Sequence, residues 1–253
     1  AEAIERWKTE YLPARRKYIY NTQIVGKGGE IPLPQTGGEP TMNYSPLVAY
    51  KSAAKVLVPT NGNLGTTWTG NPSFEPLDTT GWLSGPTGVG YDRATAYDSL
   101  IGVDVSRQMR NNTTVYIRID FDVKDPALVD LLELRIKYDD GFVAYLNGEY
   151  LVSANSPASP KWNSFTRVAH GANPRVYVKF DVSDKKKNLR TGRNVLAIQG
   201  FNTVNSSDML IVPELYGGRV SAPTTLEPRI DFGAIEANPA SGNQDEEFIQ
   251  LLN

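Results

Sequence analysis

Asp139 and Asp140 stand side by side before Gly141, where two alternating apolar stretches meet. Adjacent carboxylates at a strand end can hold Ca2+, a hard cation that takes several oxygen ligands. Further oxygens would come from Asn202, Asn205 or Asp208 in the segment FNTVNSSD. The same Asp-Asp-Gly run also reads as a polar turn whose aspartates cap backbone N–H groups. Trp162, in SPASPKWNSF, is the aromatic side chain best placed in a loop. Its ring could stack on the apolar face of a sugar, or it could pin its own loop. These six residues, Asp139, Asp140, Trp162, Asn202, Asn205 and Asp208, form the candidate ligand site. They are expected together at one loop end. Whether a metal joins them is left open, with Ca2+ as the candidate ion.

Other chemistries are narrowed by composition. There is no cysteine and a single histidine, His170, in 253 residues. Thiolate catalysis, disulfides and sites built on two histidines are therefore excluded. His170, in VAHGAN, reads as a loop residue. A formal net charge of -2 argues against a nucleic-acid partner, which calls for a basic surplus. The glycines of GPTGVG lack the Lys-Ser/Thr of a phosphate loop and read as tight turns. LPQTG matches a sorting signal only in its letters, since no apolar span and basic tail follow it closely. No catalytic constellation is assembled, and the chain is expected not to be an enzyme.

The elements that must position the candidate residues are strands. In VYIRIDFDV, Val115, Ile117, Ile119, Phe121 and Val123 alternate with Tyr116, Arg118, Asp120 and Asp122. This period of two marks a half-buried strand. LELRIKY and VYVKFDV repeat the pattern, and their inward set includes Leu134, Ile136, Val178 and Phe180. Asn147-Gly148 between apolar runs predicts a two-residue hairpin, because a type I′ turn needs positive φ at both central positions. Further strands are expected over 55–59, 194–202 and 208–216. Many short strands separated by turns indicate a sandwich or barrel. Trp68 and Trp82 are expected in the core. Ile4, Trp7 and Tyr11 fall on one helical face near the start, and Pro13 follows. No apolar run reaches about 18 residues, so no membrane insertion is expected.

Three stretches carry a resemblance. YLPARRKYIY with GEIPLPQ resembles the tail of the spore-coat kinase-like (CotH) domain of large exported bacterial proteins. GWLSGPTGVGY, LRIKYDDGFVAYLNGEYL and NVLAIQGFNTVNSSDMLIVPEL resemble the β-sandwich that often follows it. IDFGAIEANPASGNQDEEFIQLLN resembles the opening strands of a lamin-tail domain. The resemblance implies an all-β, galactose-binding-like jelly roll over residues 48–219. A kinase-like tail with a Gly/Pro linker over 1–47, including a short helical segment, would precede it. A linker and incomplete lamin-tail-like strands over 220–253 would follow. Both ends look like cuts within a longer protein.

The expected function is a non-catalytic binding or adhesion module of a secreted or cell-surface protein, with a glycan as partner. The alternative is a structural spacer or docking domain without a ligand, and a glycoside hydrolase is the remote reading. The two apolar stretches of the C-terminal segment are expected to dock on the main domain or to pair with another copy, since a lone hairpin is marginal in water.

Overall fold

The computed structural model describes residues 6, 9, 10, 14, 41–171, 173–221, 231–236 and 248–252. It divides into two compact units: Met42–Ser221, and Ala1–Thr41 together with Ala222–Asn253. In the second unit two strands, Asp231–Glu236 and Phe248–Leu252, pair antiparallel. Arg6 and Glu10 there form an exposed ion pair one helical turn apart. Ile4, Trp7 and Tyr11 lie outside the described residues.

The larger unit is a sandwich of two sheets. The strands in chain order are β1 (Thr41–Val48), β2 (Ala53–Leu57), β3 (Leu83–Pro86), β4 (Val89–Asp92), β5 (Val103–Asp104) and β6 (Thr114–Val123). They continue with β7 (Leu131–Asp139), β8 (Gly141–Leu146), β9 (Glu149–Ala154), β10 (Val178–Asp181), β11 (Gly192–Phe201) and β12 (Asp208–Ser221). One sheet runs β10-β7-β12-β4-β5, with β1 also on β12, and the other runs β3-β2-β6-β11-β8-β9. The expected jelly-roll sandwich is thus what the chain forms.

The alternation of β6 explains its packing. Val115, Ile117, Ile119, Phe121 and Val123 all enter the core between the sheets, joined by Leu132, Leu134 and Ile136 from β7. Phe142 is fully buried and meets Tyr138 and Phe180 edge-on, at ring distances of 5.0 and 5.7 Å. Val178 and Phe180 point inward as expected, but are only partly buried because β10 is an edge strand. The strand expected over VYVKFDV is shorter than its pattern. Val176 is 59% exposed and sits in a turn closed onto the Asn173 carbonyl.

The β8–β9 hairpin turns at Asn147 and Gly148, with φ of 53° and 91°. Both values lie in the left-handed region that this turn requires. Asn147 does more than turn the chain. Its Nδ2 donates to Asn188 O and Asn194 Oδ1, and its Oδ1 accepts from Val195 N. The side chain therefore fastens the hairpin tip to β11. Asn147→Ala is expected to cost about 2 kcal/mol in urea unfolding, since buried partners lose their hydrogen bonds. A loss within about 0.5 kcal/mol would show that the tip is held by its backbone alone.

Part of the outer face of the β6-containing sheet is covered. Residues 58–82 cross it, with short 3-10 turns at Thr67–Thr69 and Pro72–Phe74. Trp68 lies on Tyr116, Val195 and Ala197 in a second apolar cluster. The hairpin tip joins this cover, as Gly148 N donates to Thr69 O. A Cβ at Gly148 would stand 2.7 Å from Asn71 Cα, so only glycine permits the approach. Trp82, expected in the core, is partly buried against this outer cluster instead.

Candidate functional site

Five of the six candidate residues converge at one end of the sandwich, where β7, β8, β11 and β12 meet. Asp139 ends β7 and Asp140 links it to β8. Both are buried. Asp140 Oδ1 accepts from His170 N at 3.0 Å, and Oδ2 accepts from Thr203 N at 2.8 Å. Asp139 Oδ2 accepts the Tyr97 hydroxyl at 2.8 Å. Asn202 Nδ2 donates to Tyr91 Oη and to the Asp208 carbonyl. Asp208 Oδ1 accepts from Ser206 Oγ. Asn205 is exposed at a left-handed turn, with φ of 64°.

These contacts shape the electrostatics. Burial pushes the Asp139 carboxyl up to about 7, and the Asp140 and Asp208 charges push the same way against the Tyr97 hydrogen bond. Burial also disfavours the Asp140 carboxylate, but hydrogen bonds from Asp139, His170 and Thr203 outweigh it and hold Asp140 below the usual range. Burial lowers His170, whose ring lies 4.2 Å from that of Tyr138. The cluster ties loop ends together: both Asp140 oxygens and one oxygen each of Asp139 and Asp208 accept from protein donors. Among the described residues, no group of three or more His, Cys, Asp or Glu side chains is arranged to hold a metal ion.

Trp162 belongs to a different place. It lines a pocket of about 250 Å³ on the covered outer face of the β6 sheet, and none of the other five candidates lines that pocket. Tyr116 and Gln199 form a cross-strand pair on its floor, with Tyr145 from β8 beside them. The 62–69 stretch of the cover makes one wall, and Pro160–Trp162 makes another. Gln199 Nε2 donates to the Lys161 carbonyl at 2.9 Å, fastening the second wall to the floor. Trp162 closes on Gly62, where an added Cβ would stand 2.8 Å from the indole Cδ1. The floor is aromatic: Trp68 stacks on Tyr116 at 4.0 Å and 6°, and meets Tyr145 edge-on at 5.8 Å.

Polar atoms enter this aromatic setting without partners. The hydroxyls of Tyr116 and Tyr145 have no hydrogen bond among the described residues. Burial and the neighbouring Tyr145 push Tyr116 up to about 12, so both phenols keep their protons at neutral pH and can donate. Trp162 and Tyr145 are half-buried, leaving part of each ring for a ligand. The sequence showed Tyr116 on the face opposite the core, but not the loops that enclose it. An aromatic residue on the polar side of a strand, with a tryptophan-bearing loop nearby, was the available signal.

No family model matches the chain, and no curated protein matches it. Solved structures give distant likenesses. A β-glucuronidase from an uncultured Clostridium sp. is 15% identical over 81% of this chain and 32% of its own, with a TM-score of 0.40. The Bifidobacterium dentium β-glucuronidase complexed with coumarin-3-O-glucuronide is 13% identical over 82% and 34%, at 0.42. Bacteroides uniformis β-glucuronidase is 12% identical over 70% and 18%, at 0.43. The chain thus spans about a third or less of these proteins.

Proposed function

We propose that this sandwich is a non-catalytic glycan-binding module of a larger secreted or cell-surface protein. The observation that carries the reading is the pocket around Trp162, where aromatic rings and unpartnered hydroxyls share one concave space. Sugars present an apolar C–H face and a rim of hydroxyls, so a site for them combines flat rings with hydrogen-bonding groups. The site lies on a sheet face, away from the Asp139–Asp140 end. That end serves to hold loops in place.

The test is a glycan array probed with the wild-type protein and with Trp162→Ala. Binding by the wild type and a loss of at least about tenfold in the variant are expected, as for a buried aromatic anchor. Melting temperature should change little, because Trp162 lies in a loop and is only partly buried. Full binding by the variant, or no glycan retained by the wild type, would overturn the reading. The second outcome would favour a spacer without a ligand.

A further inference from the structure

We infer that the Trp162 pocket takes a single sugar ring bearing a carboxylate, a uronic acid, in preference to a neutral hexose. The inference rests on the glycan-binding reading above and specifies its ligand. It starts from the balance of donors and acceptors. Tyr116 and Tyr145 offer two protonated phenols with no protein acceptor. Lys161 lines the pocket and is exposed, its ammonium brings three donors, and no carboxylate pairs with it among the described residues. No lining residue is Asp or Glu. The one side-chain amide, Gln199, has its nitrogen committed to the Lys161 carbonyl, leaving Oε1 as the free amide acceptor.

A neutral sugar brings a donor with every hydroxyl and so needs acceptors around it. Carboxylates are the strongest acceptors a protein has, and this pocket lacks them. A carboxylate on the ligand brings acceptors only. It would satisfy the phenols and the ammonium together, through charge-assisted hydrogen bonds of roughly twice the neutral strength. Size points the same way as charge. Ligand pockets for larger molecules run from roughly 300 to 1,000 Å³, and about 250 Å³ suits one ring rather than a run of several. Trp162 seated on Gly62 closes one side, which favours a terminal residue over the interior of a chain.

Calorimetric titration with glucuronate against glucose, and with galacturonate against galactose, separates the possibilities. Each pair differs at C6 alone. At least one acid is expected to bind about tenfold or more tightly than its neutral partner, the scale of one hydrogen bond to a charged group. Lys161→Gln should abolish most of that preference without lowering melting temperature. Added salt should shrink it in the wild type, because the lysine is exposed and screened. Tyr145→Phe should weaken acid binding more than neutral binding. Neutral sugars binding as tightly as the acids would overturn this inference and leave the glycan-binding reading standing. A preference unchanged in Lys161→Gln would overturn it too. If neither acids nor neutral sugars bind, both readings fall.

Discussion

An alanine in place of Arg118 is expected to cost about 3–5 kcal/mol in urea unfolding, the scale of a buried ion pair that loses one partner. Arg118 is 4% exposed, on the outer face of β6 beneath the 58–82 cover. Nη1 donates to the Trp68 carbonyl at 2.6 Å, and Nη2 donates to Glu75 Oε1 at 2.7 Å. Glu75 Oε2 also accepts from Arg193, whose guanidinium reaches on to Asp120. The cation therefore ties both the tryptophan turn and the following 3-10 turn to the sheet. Its removal strands a backbone carbonyl and half of a carboxylate under the cover. Trp68 should then loosen over Tyr116, so under the proposed glycan-binding function affinity should fall together with stability.

Acid titration gives the same clamp a second signature. Burial works against the Glu75 carboxylate, but the Arg118 and Arg193 hydrogen bonds outweigh it and hold the group below the ordinary value of 4.5. A depressed carboxyl contributes stability that is present above its unfolded value and lost as pH falls through its folded one. The wild type should therefore lose stability below about pH 4.5, and the loss should be shallower in Arg118→Ala. A cost under about 1 kcal/mol at neutral pH, with an unchanged acid limb, would mean that the cover is held by apolar packing alone.

Why the sequence reading reached the strands and missed the clamp is a matter of range. The alternation in 115–123 and 132–138 reports which way each side chain points, because Cβ direction has a strict period of two. Asn147-Gly148 likewise reports a local backbone requirement. Neither pattern says what covers the opposite face. Tyr116 and Arg118 read as facing away from the core, yet they are buried. Glu75, on which Arg118 depends, is 43 positions earlier in the chain. A Gly- and Pro-containing stretch such as 58–82 has no periodicity to announce its path. The same limit divided the candidate site. Asp139, Asp140, Asn202 and Asp208 lie at the ends of paired strands, so register alone brings them together. Trp162 is placed by a loop, through Gly62 and the Gln199–Lys161 hydrogen bond. The strand VYVKFDV overreached because alternation cannot tell an edge strand from a central one.

Asp139→Asn is expected to stabilise the protein above pH 7 and to flatten its stability profile between about pH 4 and 7. Asp139 is buried on the outer face of β7 under Tyr97, with Asp140 and Asp208 nearby and Asp92 beyond Tyr97. Burial, the hydrogen bond with Asp140 and the Asp140 and Asp208 charges raise its carboxyl from 3.8 to about 7. A raised carboxyl means that the folded state binds a proton more tightly than the unfolded state. Its stabilising effect is thus complete below 3.8 and is lost as pH rises to about 7. The slope for one such proton cannot exceed about 1.4 kcal/mol per pH unit. Asp140 moves the opposite way, so its effect falls at more acid pH and leaves the middle window to Asp139. Asparagine reproduces the protonated form at every pH. Its Oδ1 can still accept the Tyr97 hydroxyl, and its Nδ2 can donate towards the Asp140 carboxylate. Melting curves of wild type and variant at pH 5 and pH 8 make the comparison. The variant should lead at both, by less at pH 5 than at pH 8, with roughly 2–4 °C of melting temperature for each kcal/mol gained. A variant whose melting temperature falls between pH 5 and pH 8 as steeply as that of the wild type would place the titrating group elsewhere. His170, the one histidine facing this cluster, would be the next residue to replace.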